Sequence, residues 1–333
     1  MRDVAALAGV SLKTVSRVVN GEPNVAPRLA EQVQRAATQL NYRPNRTASS
    51  LRRGDGRTAM IGLLLEDVGN PYSSSVERAV EDVAARRGVR VLAASLDEDP
   101  ERERLLAAAL FERRVDGVII VPASHDHGYL RDELEAGTAM VFVDRPARYL
   151  AADSVTVDNR AGAERGTAAL IANGHTRIAY LGNLRSITTS VDRYDGYRDA
   201  LARAGIAVDE QIVRHELHSM EAAQQATIEL LRRAEPPTAL FAGQNQVTIG
   251  AVRALHELGR ARDVAIVGFD DFPLADLIEP GVAVVAQDSL AIGALAAEIL
   301  FRRIEGDRSA TVEHVVPTTL LLRESGRIAA PRR

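Results

Sequence analysis

The stretch DVAALAGVSLKTVSRVVN, residues 3–20, holds two short helical patterns separated by a turn. The first pattern places its apolar residues on one helical face: Val4, Leu7 and Ala8. Gly9 can end that helix, and Ser11 can cap a second helix over residues 12–20 by accepting a backbone hydrogen bond. Two short helices joined by a tight turn predict a helix-turn-helix motif.

The second helix of this motif presents a mixed outward face. Its buried side consists of Val15, Val18 and Val19, and its outward residues are Leu12, Lys13, Ser16, Arg17 and Asn20. A leucine can contact thymine methyl groups, Lys and Arg can bond to guanine O6 and N7, and hydroxyl or amide groups can reach phosphates. Residues 12–20 are therefore the predicted recognition helix of a DNA-binding head. The alternative is a small helical cap domain whose arginines only solvate its surface.

Charge is distributed unevenly along the chain. Residues 1–57 carry ten Lys or Arg against four Asp or Glu, whereas the whole chain has a net charge of −4. Because phosphate contacts need clustered basic side chains, this pattern indicates that only the head meets a polyanion.

After Arg57 the pattern changes to short apolar runs that alternate with amphipathic helices. The runs are candidate strands at 59–65, 89–94, 117–121, 139–143, 178–181, 239–242 and 264–267. Several are continuously apolar, which is typical of parallel strands covered by helices on both faces. A body of roughly 275 residues exceeds one sheet core, so the sequence predicts two α/β lobes with a ligand site at the strand ends. The predicted fold class is α/β with an N-terminal all-α head.

The composition disfavours several classes of protein. The chain has no cysteine, which excludes disulfides and thiolate metal sites and fits a reducing compartment. No apolar run reaches the roughly 18 residues of a membrane-spanning helix, and no secretory signal is expected. His125 and His127 lack a third ligand, and neither a phosphate-binding glycine loop nor a nucleophile elbow is present. We therefore expect no metal, no cofactor and no enzymatic activity.

A series of short motifs runs through the head and the segment after it. They are Asp3-Val4-Ala5, Gly9-Val10-Ser11, residues 14–20, residues 40–45, Ala48 and Leu51. Together they resemble the DNA-binding head and hinge of the lactose-repressor family of bacterial regulators. The resemblance implies double-stranded operator DNA as a partner and a hinge helix at residues 45–51 that orders on DNA. A seven-residue polar helix is too short to be stable alone, which agrees with folding on binding.

The resemblance also implies roles for individual head and hinge residues. Leu12 and Lys13 fall where family members vary to choose their operator, and Arg17 falls where they often contact a base. Leu51 falls where a leucine inserts into the minor groove and kinks the duplex, and the alternative is a packing contact with the body. The expected DNA-binding residues are Ser11, Leu12, Lys13, Thr14, Ser16, Arg17, Asn20, Tyr42, Asn45, Arg46, Ala48 and Leu51.

The first residues depart from the family pattern. Members usually carry a few residues before the position of Asp3, including a threonine that caps the first helix, whereas this chain begins with Met1-Arg2. We expect either a start a few residues upstream or a frayed first helix.

Motifs in the body extend the resemblance. They are Asn70-Pro71-Tyr72, Asp116-Gly117-Val118-Ile119, Val143-Asp144-Arg145, Asp158-Asn159, Gly174-His175, Gly196-Tyr197 and Val267-Gly268-Phe269-Asp270-Asp271. They resemble the type-I periplasmic-binding-protein core with which this family senses effectors, which implies two lobes joined by three crossovers. The expected domains are a helix-turn-helix domain at 1–43, a hinge and linker at 44–57, and an effector-binding and dimerisation core at 58–333. The N-lobe is expected at about 58–157 and 288–316, and the C-lobe at about 158–285 and 318–330.

The residues that match the cleft between these lobes are polar. They are Asn70, Tyr72, Ser73, Asp144, Arg145, Arg193, Gln244, Asn245, Asp270 and Gln287. Carboxylates, amides and arginines suit a polyhydroxylated ligand, because each hydroxyl can be paired as donor and as acceptor. Asp144 and Arg145 could alternatively form an internal salt bridge, and Asp270 could cap the turn after it.

Two departures leave the effector open. Ser73 stands where many sugar binders carry a second aromatic residue, and Gln244-Asn245 stands where they carry an Asn-Asp pair. A simple sugar, a phosphorylated or acidic sugar and a nucleoside therefore all remain as alternatives.

These features predict a cytoplasmic DNA-binding transcriptional regulator, a repressor, whose affinity for a palindromic operator is controlled by a small polar effector. One short helix contacts few bases, so a homodimer is expected, and the absence of an apolar heptad tail disfavours a tetramer. A sugar-binding transport receptor is the first alternative, and the basic head disfavours it. An α/β hydrolase is the second, and it would need a nucleophile with a base or a metal set.

Overall fold

A computed structural model describes residues 1–19, 25–42 and 57–332. The chain divides into two compact units, Met1–Met60 and Ile61–Arg333. Among the described residues, no helix has both the length and the apolar character needed to cross a membrane.

The first unit contains the helices α1 (Arg2–Ala8), α2 (Leu12–Val19) and α3 (Pro27–Gln39). They pack around a small apolar core of Val4, Ala5, Val15, Val33 and Ala36. Helix α1 ends at Gly9, whose φ of 62° is a left-handed conformation that costs glycine little. Ser11 Oγ accepts from the Thr14 amide at 3.1 Å and so satisfies one free N–H at the start of α2. The predicted helix-turn-helix is therefore present.

One residue of the apolar face of α1 is not buried. Leu7 is 48% exposed, whereas Ala5 is buried beside Val4. Because α1 packs against both α2 and α3, its buried face turns toward Val4 and Ala5 and leaves Leu7 at the rim. The N-cap of α1 is Met1, which makes no side-chain capping hydrogen bond.

The rest of the chain forms two six-stranded sheets. The strands of the first sheet are β1 (Met60–Leu65), β2 (Arg90–Ser95), β3 (Gly117–Ile120), β4 (Ala139–Val143), β5 (Asp153–Val157) and β11 (Glu313–Val316). They lie in the order β11-β5-β4-β3-β1-β2, and the pairings from β11 to β1 are parallel.

The second sheet has a similar design. Its strands are β6 (Ile178–Leu181), β7 (Val213–Arg214), β8 (Ala239–Ala242), β9 (Ala265–Phe269), β10 (Ala283–Ala286) and β12 (Thr319–Leu321). They lie in the order β12-β10-β9-β8-β6-β7, and only β12 is antiparallel to its neighbour.

The chain passes between the two sheets three times. It completes β1 to β5 in the first sheet and β6 to β10 in the second, returns to the first for β11, and ends in the second with β12. This is the two-lobed α/β architecture that the sequence predicts. The seven predicted strands are all present within one or two residues at each end, but five others were not predicted: β5, β7, β10, β11 and β12. Polar residues interrupt β5 and β11, and β7 and β12 have only two and three residues, whereas β10 lies in the apolar run 282–286 and could have been predicted.

Helices cover both sheets in pairs. The helices are α4 (Pro71–Arg86), α5 (Pro100–Glu112), α6 (Arg131–Glu135), α7 (Asn159–Ala172), α8 (Thr188–Arg203), α9 (Met220–Leu231), α10 (Asn245–Glu257) and α11 (Ser289–Ile304). Helix α7 packs on α8, α9 on α10 and α11 on α4. Gly196 on α8 meets the Arg160 carbonyl of α7 so closely that a Cβ would overlap it, and Gly250 on α10 meets the Met220 carbonyl in the same way. The absence of a side chain at Gly196 and Gly250 therefore allows the helices of these pairs to pack closely.

Candidate functional site

A cavity lies where the strand ends of the two sheets face each other. Its wall is formed by Glu66, Asn70, Tyr72, Ser73, Val121, Asp144, Arg145, Asn183, Ile187, Thr189, Ser190, Arg193, Gly243, Gln244, Asp270 and Gln287. Nine of the ten predicted cleft residues belong to this wall. The tenth, Asn245, lies behind it and contacts Asn70. Carboxyl ends of parallel strands are where α/β proteins bind ligands, so this cavity is the candidate site.

Two carboxylates occupy equivalent positions in the two lobes. Asp144 directly follows β4, and Asp270 directly follows β9. Each has a left-handed backbone, with φ of 69° and 68° respectively. Each backbone amide donates to a neighbouring strand, Asp144 to Val155 O at 3.0 Å and Asp270 to Val285 O at 2.9 Å. Non-glycine residues held in this region are uncommon and concentrate at ligand sites.

Arg193 is fixed on the C-lobe wall. Its Nε donates to Asn159 Oδ1 at 2.8 Å, and its Nη1 donates to Gly243 O at 2.9 Å and lies 3.4 Å from Asp270 Oδ2. The guanidinium also stacks over the Phe269 ring, 3.9 Å from its centroid. These contacts hold a side chain that is only 6% exposed in one orientation.

Asp270 connects Arg193 to the last wall residue. Gln287 Nε2 donates to Asp270 Oδ1 at 2.5 Å. Burial raises the pKa of Asp270, while the nearby Arg193 charge and the Gln287 hydrogen bond act in the opposite direction. The amide of Phe272 is capped by Asp271 Oδ1, so the alternative in which Asp270 caps the following turn is wrong.

Arg145 is held by a carboxylate that the sequence analysis did not single out. Its Nη1 and Nη2 donate to the two oxygens of Glu98 at 2.8 and 2.5 Å, and Nη1 also donates to Pro122 O at 2.7 Å. Its Nε lies 3.2 Å from Asp144 Oδ2. The predicted alternative of an internal Asp144–Arg145 salt bridge is therefore present, and Glu98 is the stronger partner.

Glu66 is the least compensated carboxylate on the wall. It receives a long hydrogen bond from Gln244 Nε2 at 3.4 Å. Burial raises the pKa of Glu66 to about 7, with a further increase from the Glu98 charge and a decrease from Arg145. A carboxylate in this position gains from a ligand that donates hydrogen bonds to it.

Three wall atoms are buried without a hydrogen-bond partner among the described residues, Tyr72 Oη, Arg145 Nε and Gln287 Oε1. Burial raises the pKa of Tyr72 well above its ordinary value, and the Asp144 and Asp270 charges add to the increase. The phenol therefore stays protonated and offers a donor, while the Gln287 oxygen offers an acceptor. Buried polar atoms are normally paired, so these three point to a polar ligand.

Sequence reasoning missed several residues of the site. Glu66 follows β1 directly and Asn183 lies two residues after β6, so position after a strand was the available signal for these two, whereas Thr189 and Ser190 lie in the first turn of α8. Glu98 belongs to none of the motifs in the sequence and stands just before Asp99, the N-cap of α5. Asn159 begins α7, and nothing local shows that it supports Arg193.

Most of the predicted DNA-contacting residues that the structure describes lie at the surface of the head. Ser11, Leu12 and Lys13 are exposed, Thr14, Ser16 and Arg17 are partly exposed, and Val15 between them is fully buried. Tyr42 is partly buried and packs against the head core. Five predicted DNA contacts, Asn20, Asn45, Arg46, Ala48 and Leu51, lie outside the described residues. The described part of the chain contains no group of three or more His, Asp or Glu side chains arranged to hold a metal ion.

Comparison with known proteins identifies both regions. Residues 1–45 match the model of bacterial regulatory proteins of the lacI family, and residues 167–326 match a periplasmic binding protein-like domain. The ribose operon repressor of Halalkalibacterium halodurans is 34% identical over 98% of this chain and 96% of its own.

Two solved structures extend the comparison. A complex of the transcriptional regulator CelR with cellobiose is 33% identical, with a TM-score of 0.71 over 97% of this chain and 98% of that one. The lac repressor dimer bound to operator and the anti-inducer ONPF is 27% identical, with a TM-score of 0.83 over 98% of both chains. This chain therefore belongs to the lacI family of bacterial regulatory proteins and is a DNA-binding transcriptional regulator with a helix-turn-helix head and a periplasmic-binding-protein-like core.

Proposed function

We propose that this regulator is a repressor that binds a palindromic operator as a homodimer and releases or holds it according to a small polar effector in the cleft. One observation carries the proposal: a chain with a helix-turn-helix head also contains a cavity walled by both lobes and lined with polar side chains. A ligand that contacts both lobes can bias their relative positions, because it binds one arrangement better than another.

We propose one function for each of the domains expected from the sequence. Residues 1–43 bind the major groove, residues 44–57 form the hinge, and residues 58–333 bind effector and dimerise. The N-lobe is proposed at about 58–157 and 288–316, and the C-lobe at about 158–285 and 318–330. The proposed DNA contacts are Ser11, Leu12, Lys13, Thr14, Ser16, Arg17, Asn20, Tyr42, Asn45, Arg46, Ala48 and Leu51.

The cavity chemistry supports a polyhydroxylated effector. Carboxylates, amides and a fixed guanidinium surround the space, and together they can pair each hydroxyl as donor and acceptor. The proposed effector contacts are Asn70, Tyr72, Ser73, Asp144, Arg145, Arg193, Gln244, Asp270 and Gln287, with Asn245 acting through Asn70. The relatives named above are a ribose operon repressor and a regulator solved with cellobiose, which supports a sugar, sugar derivative or nucleoside.

The same proposal places the protein with its DNA in the cytoplasm and gives it no catalytic role. The polar residues of the cleft are bonded to each other as a binding surface, and no nucleophile with a base is found among them. The match of residues 1–45 to a DNA-binding family disfavours the alternative of a transport receptor.

Selection of DNA from a random pool on the purified protein tests the proposal. We expect enrichment of palindromic sequences with two half-sites, because a dimer presents two recognition helices. Gel-shift titration of an enriched site should then change with a compound that also raises the melting temperature of the protein. Enrichment of no sequence, or an affinity that no stabilising compound alters, would contradict the proposal.

A further inference from the structure

The charges around the cleft are not balanced. Three carboxylates and two guanidinium groups line the cavity, and a fourth carboxylate, Glu98, stands directly behind Arg145. With Asp144, Asp270 and Glu98 ionised against the two guanidinium groups, the cluster stays net negative even when Glu66 carries a proton. An anionic ligand would therefore enter a site that already repels it.

Both guanidinium charges are already paired with carboxylates, Arg145 with Glu98 and Asp144 and Arg193 with Asp270, although Arg145 Nε makes no hydrogen bond to a described residue. Arg145 is bonded to both oxygens of Glu98 and to Pro122 O, and it is 10% exposed. Arg193 donates to Asn159 and Gly243 O and pairs with Asp270. A phosphate or carboxylate would need to displace one of these buried pairs, and breaking such a pair leaves an uncompensated charge.

Glu66, in contrast to the arginines, has few hydrogen-bond partners. Its contact with Gln244 is long, and Gln244 is itself bonded to Asn183, whose Nδ2 donates to Gln244 Oε1 at 2.8 Å. The carboxylate lines the cavity and keeps unused acceptor capacity facing it. The nearby Tyr72 Oη, buried and unpartnered, is a second independent sign that the ligand is polar and makes hydrogen bonds here.

We infer that Glu66 recognises a hydrogen-bond-donating group of the effector, a hydroxyl or an ammonium, and that the cleft rejects sugar phosphates and uronic acids. The inference rests on the proposed function and narrows its ligand class. Of the alternatives left open by the sequence, the neutral sugars, amino sugars and nucleosides remain, and the phosphorylated and acidic sugars do not.

A thermal-shift and calorimetric screen of the full chain tests this inference. The library contains neutral sugars, amino sugars and nucleosides, together with the phosphate and uronate derivatives of the same skeletons. We expect every stabilising compound to be neutral or cationic, and each phosphate or uronate to bind at least tenfold more weakly than its parent. An anion that binds as tightly as its neutral parent would overturn the inference while supporting an effector site.

Single substitutions test whether Glu66 is the residue that recognises the ligand. Glu66→Gln should weaken the best compound by about tenfold or more, because charge-assisted hydrogen bonds are the stronger ones. Loss of the preference for an amino sugar over its hydroxyl parent in Glu66→Gln would identify the donor as an ammonium, whereas equal weakening of both would identify a hydroxyl. Glu101→Gln, on an exposed glutamate outside the cleft, should leave affinity unchanged. Unchanged affinity in Glu66→Gln would overturn the role of Glu66, and a chain that no compound of any charge stabilises would overturn the proposed function and this inference together.

Discussion

The Asn245 side chain donates from Nδ2 to Asn70 Oδ1 at 2.8 Å, and the two residues begin helices of different lobes. Asn70 Nδ2 lies 3.4 Å from Asn245 Oδ1, so the two amides face each other as a pair. Asn70 is 3% exposed and Asn245 is fully buried. Any motion that separates the lobes at this edge must break the pair and hydrate both amides. Opening of the cleft at this edge therefore costs the free energy of the hydrogen bonds between the two amides.

Substituting each asparagine in turn should distinguish the contribution of the amide pair to stability from the contribution of helix capping. Asn70 Oδ1 also accepts from the Tyr72 amide at 3.0 Å and so caps α4. Asn245→Ala should lower the free energy of unfolding by about 1–2 kcal/mol. Asn70→Ala should cost roughly 1 kcal/mol more, because the cap is lost as well.

Asn70→Asp is the matched control for this prediction. Its carboxylate can still cap α4 and accept from Asn245, so it should lie closer to wild type than Asn70→Ala. Urea titration of the three variants and the Asn70→Ala/Asn245→Ala double variant measures the coupling. Equal losses for the two single alanine variants, with additive effects in the double, would show that the amides do not interact.

Glu66 should make stability depend on pH in a predictable direction. Its pKa in the folded protein is about 7, above its ordinary value of 4.5, because burial and the Glu98, Asp144 and Asp270 charges outweigh Arg145. The folded state therefore holds this proton more tightly than the unfolded state. Its contribution to stability is greatest below about pH 4.5 and falls as the pH rises through 7.

Glu66→Gln should remove this dependence. At about 1.4 kcal/mol per pKa unit the ceiling is roughly 3 kcal/mol, and we expect a gain of about 2 kcal/mol over wild type at pH 8 with little gain at pH 4. Unfolding free energies of the empty protein from pH 4 to pH 8 give the measurement, with Glu101→Gln as the exposed control. A constant difference between Glu66→Gln and wild type across this range would show that the carboxylate is not perturbed.

The sequence predicted those features that depend on residues close together in the chain. Residues 139–143 are continuously apolar, and they form β4 with the predicted bounds. Asp144 and Asp270 could be placed in the cleft because each directly follows such a strand. Ser11 was predicted as a cap because capping depends on residues within one turn of helix.

What the sequence did not predict depends on distant residues. Glu98 pairs with Arg145, 47 positions later in the chain, and Asn159 supports Arg193 across 34 positions. The strand β11 joins the first sheet only because the chain returns to it after β10, and its alternate exposed residues hide the pattern of a buried strand. Partners brought together by topology leave no periodic signal in either segment.

Arg17→Ala tests the DNA surface. Arg17 and Lys13 lie on α2, whose opposite side is held by the buried Val15. If Arg17 contacts a base, its loss should cost about 1–3 kcal/mol on the selected operator and much less on unrelated DNA. Fluorescence-anisotropy titrations on both DNAs at several salt concentrations separate base from phosphate contacts.

Arg35→Ala is the control for Arg17→Ala. Arg35 lies on α3, its side chain is 76% exposed, and it pairs with Glu31 rather than standing on the recognition helix. It should reduce binding to both DNAs slightly and equally. An equal loss on both DNAs for Arg17→Ala as well would assign Arg17 to a phosphate.

Asp270 and Asp271 are adjacent carboxylates for which the structure predicts different roles. Asp270 lines the cavity and holds Gln287 and Arg193, whereas Asp271 receives both Nη atoms of Arg323 at 2.8 Å. Asp270→Ala should abolish the effector response and, if the effector is an inducer, keep operator binding in its absence. Arg193 keeps its bonds to Asn159 and Gly243 O but loses its buried charge partner, so a melting temperature close to wild type is needed to assign the loss to the ligand contact.

Asp271→Asn should show the reverse behaviour. It weakens the ion pair with Arg323, which is part-buried, and should lower the melting temperature while leaving the effector response intact. Gel-shift titrations with and without effector, beside melting curves for each variant, compare the two. If Asp270→Ala kept an unchanged effector affinity, Asp270 would not contact the ligand. If Asp271→Asn lost the response at full stability, the C-lobe contact would lie one residue further along the loop, in the outer cavity that Asp271 lines with Phe272 and Pro273.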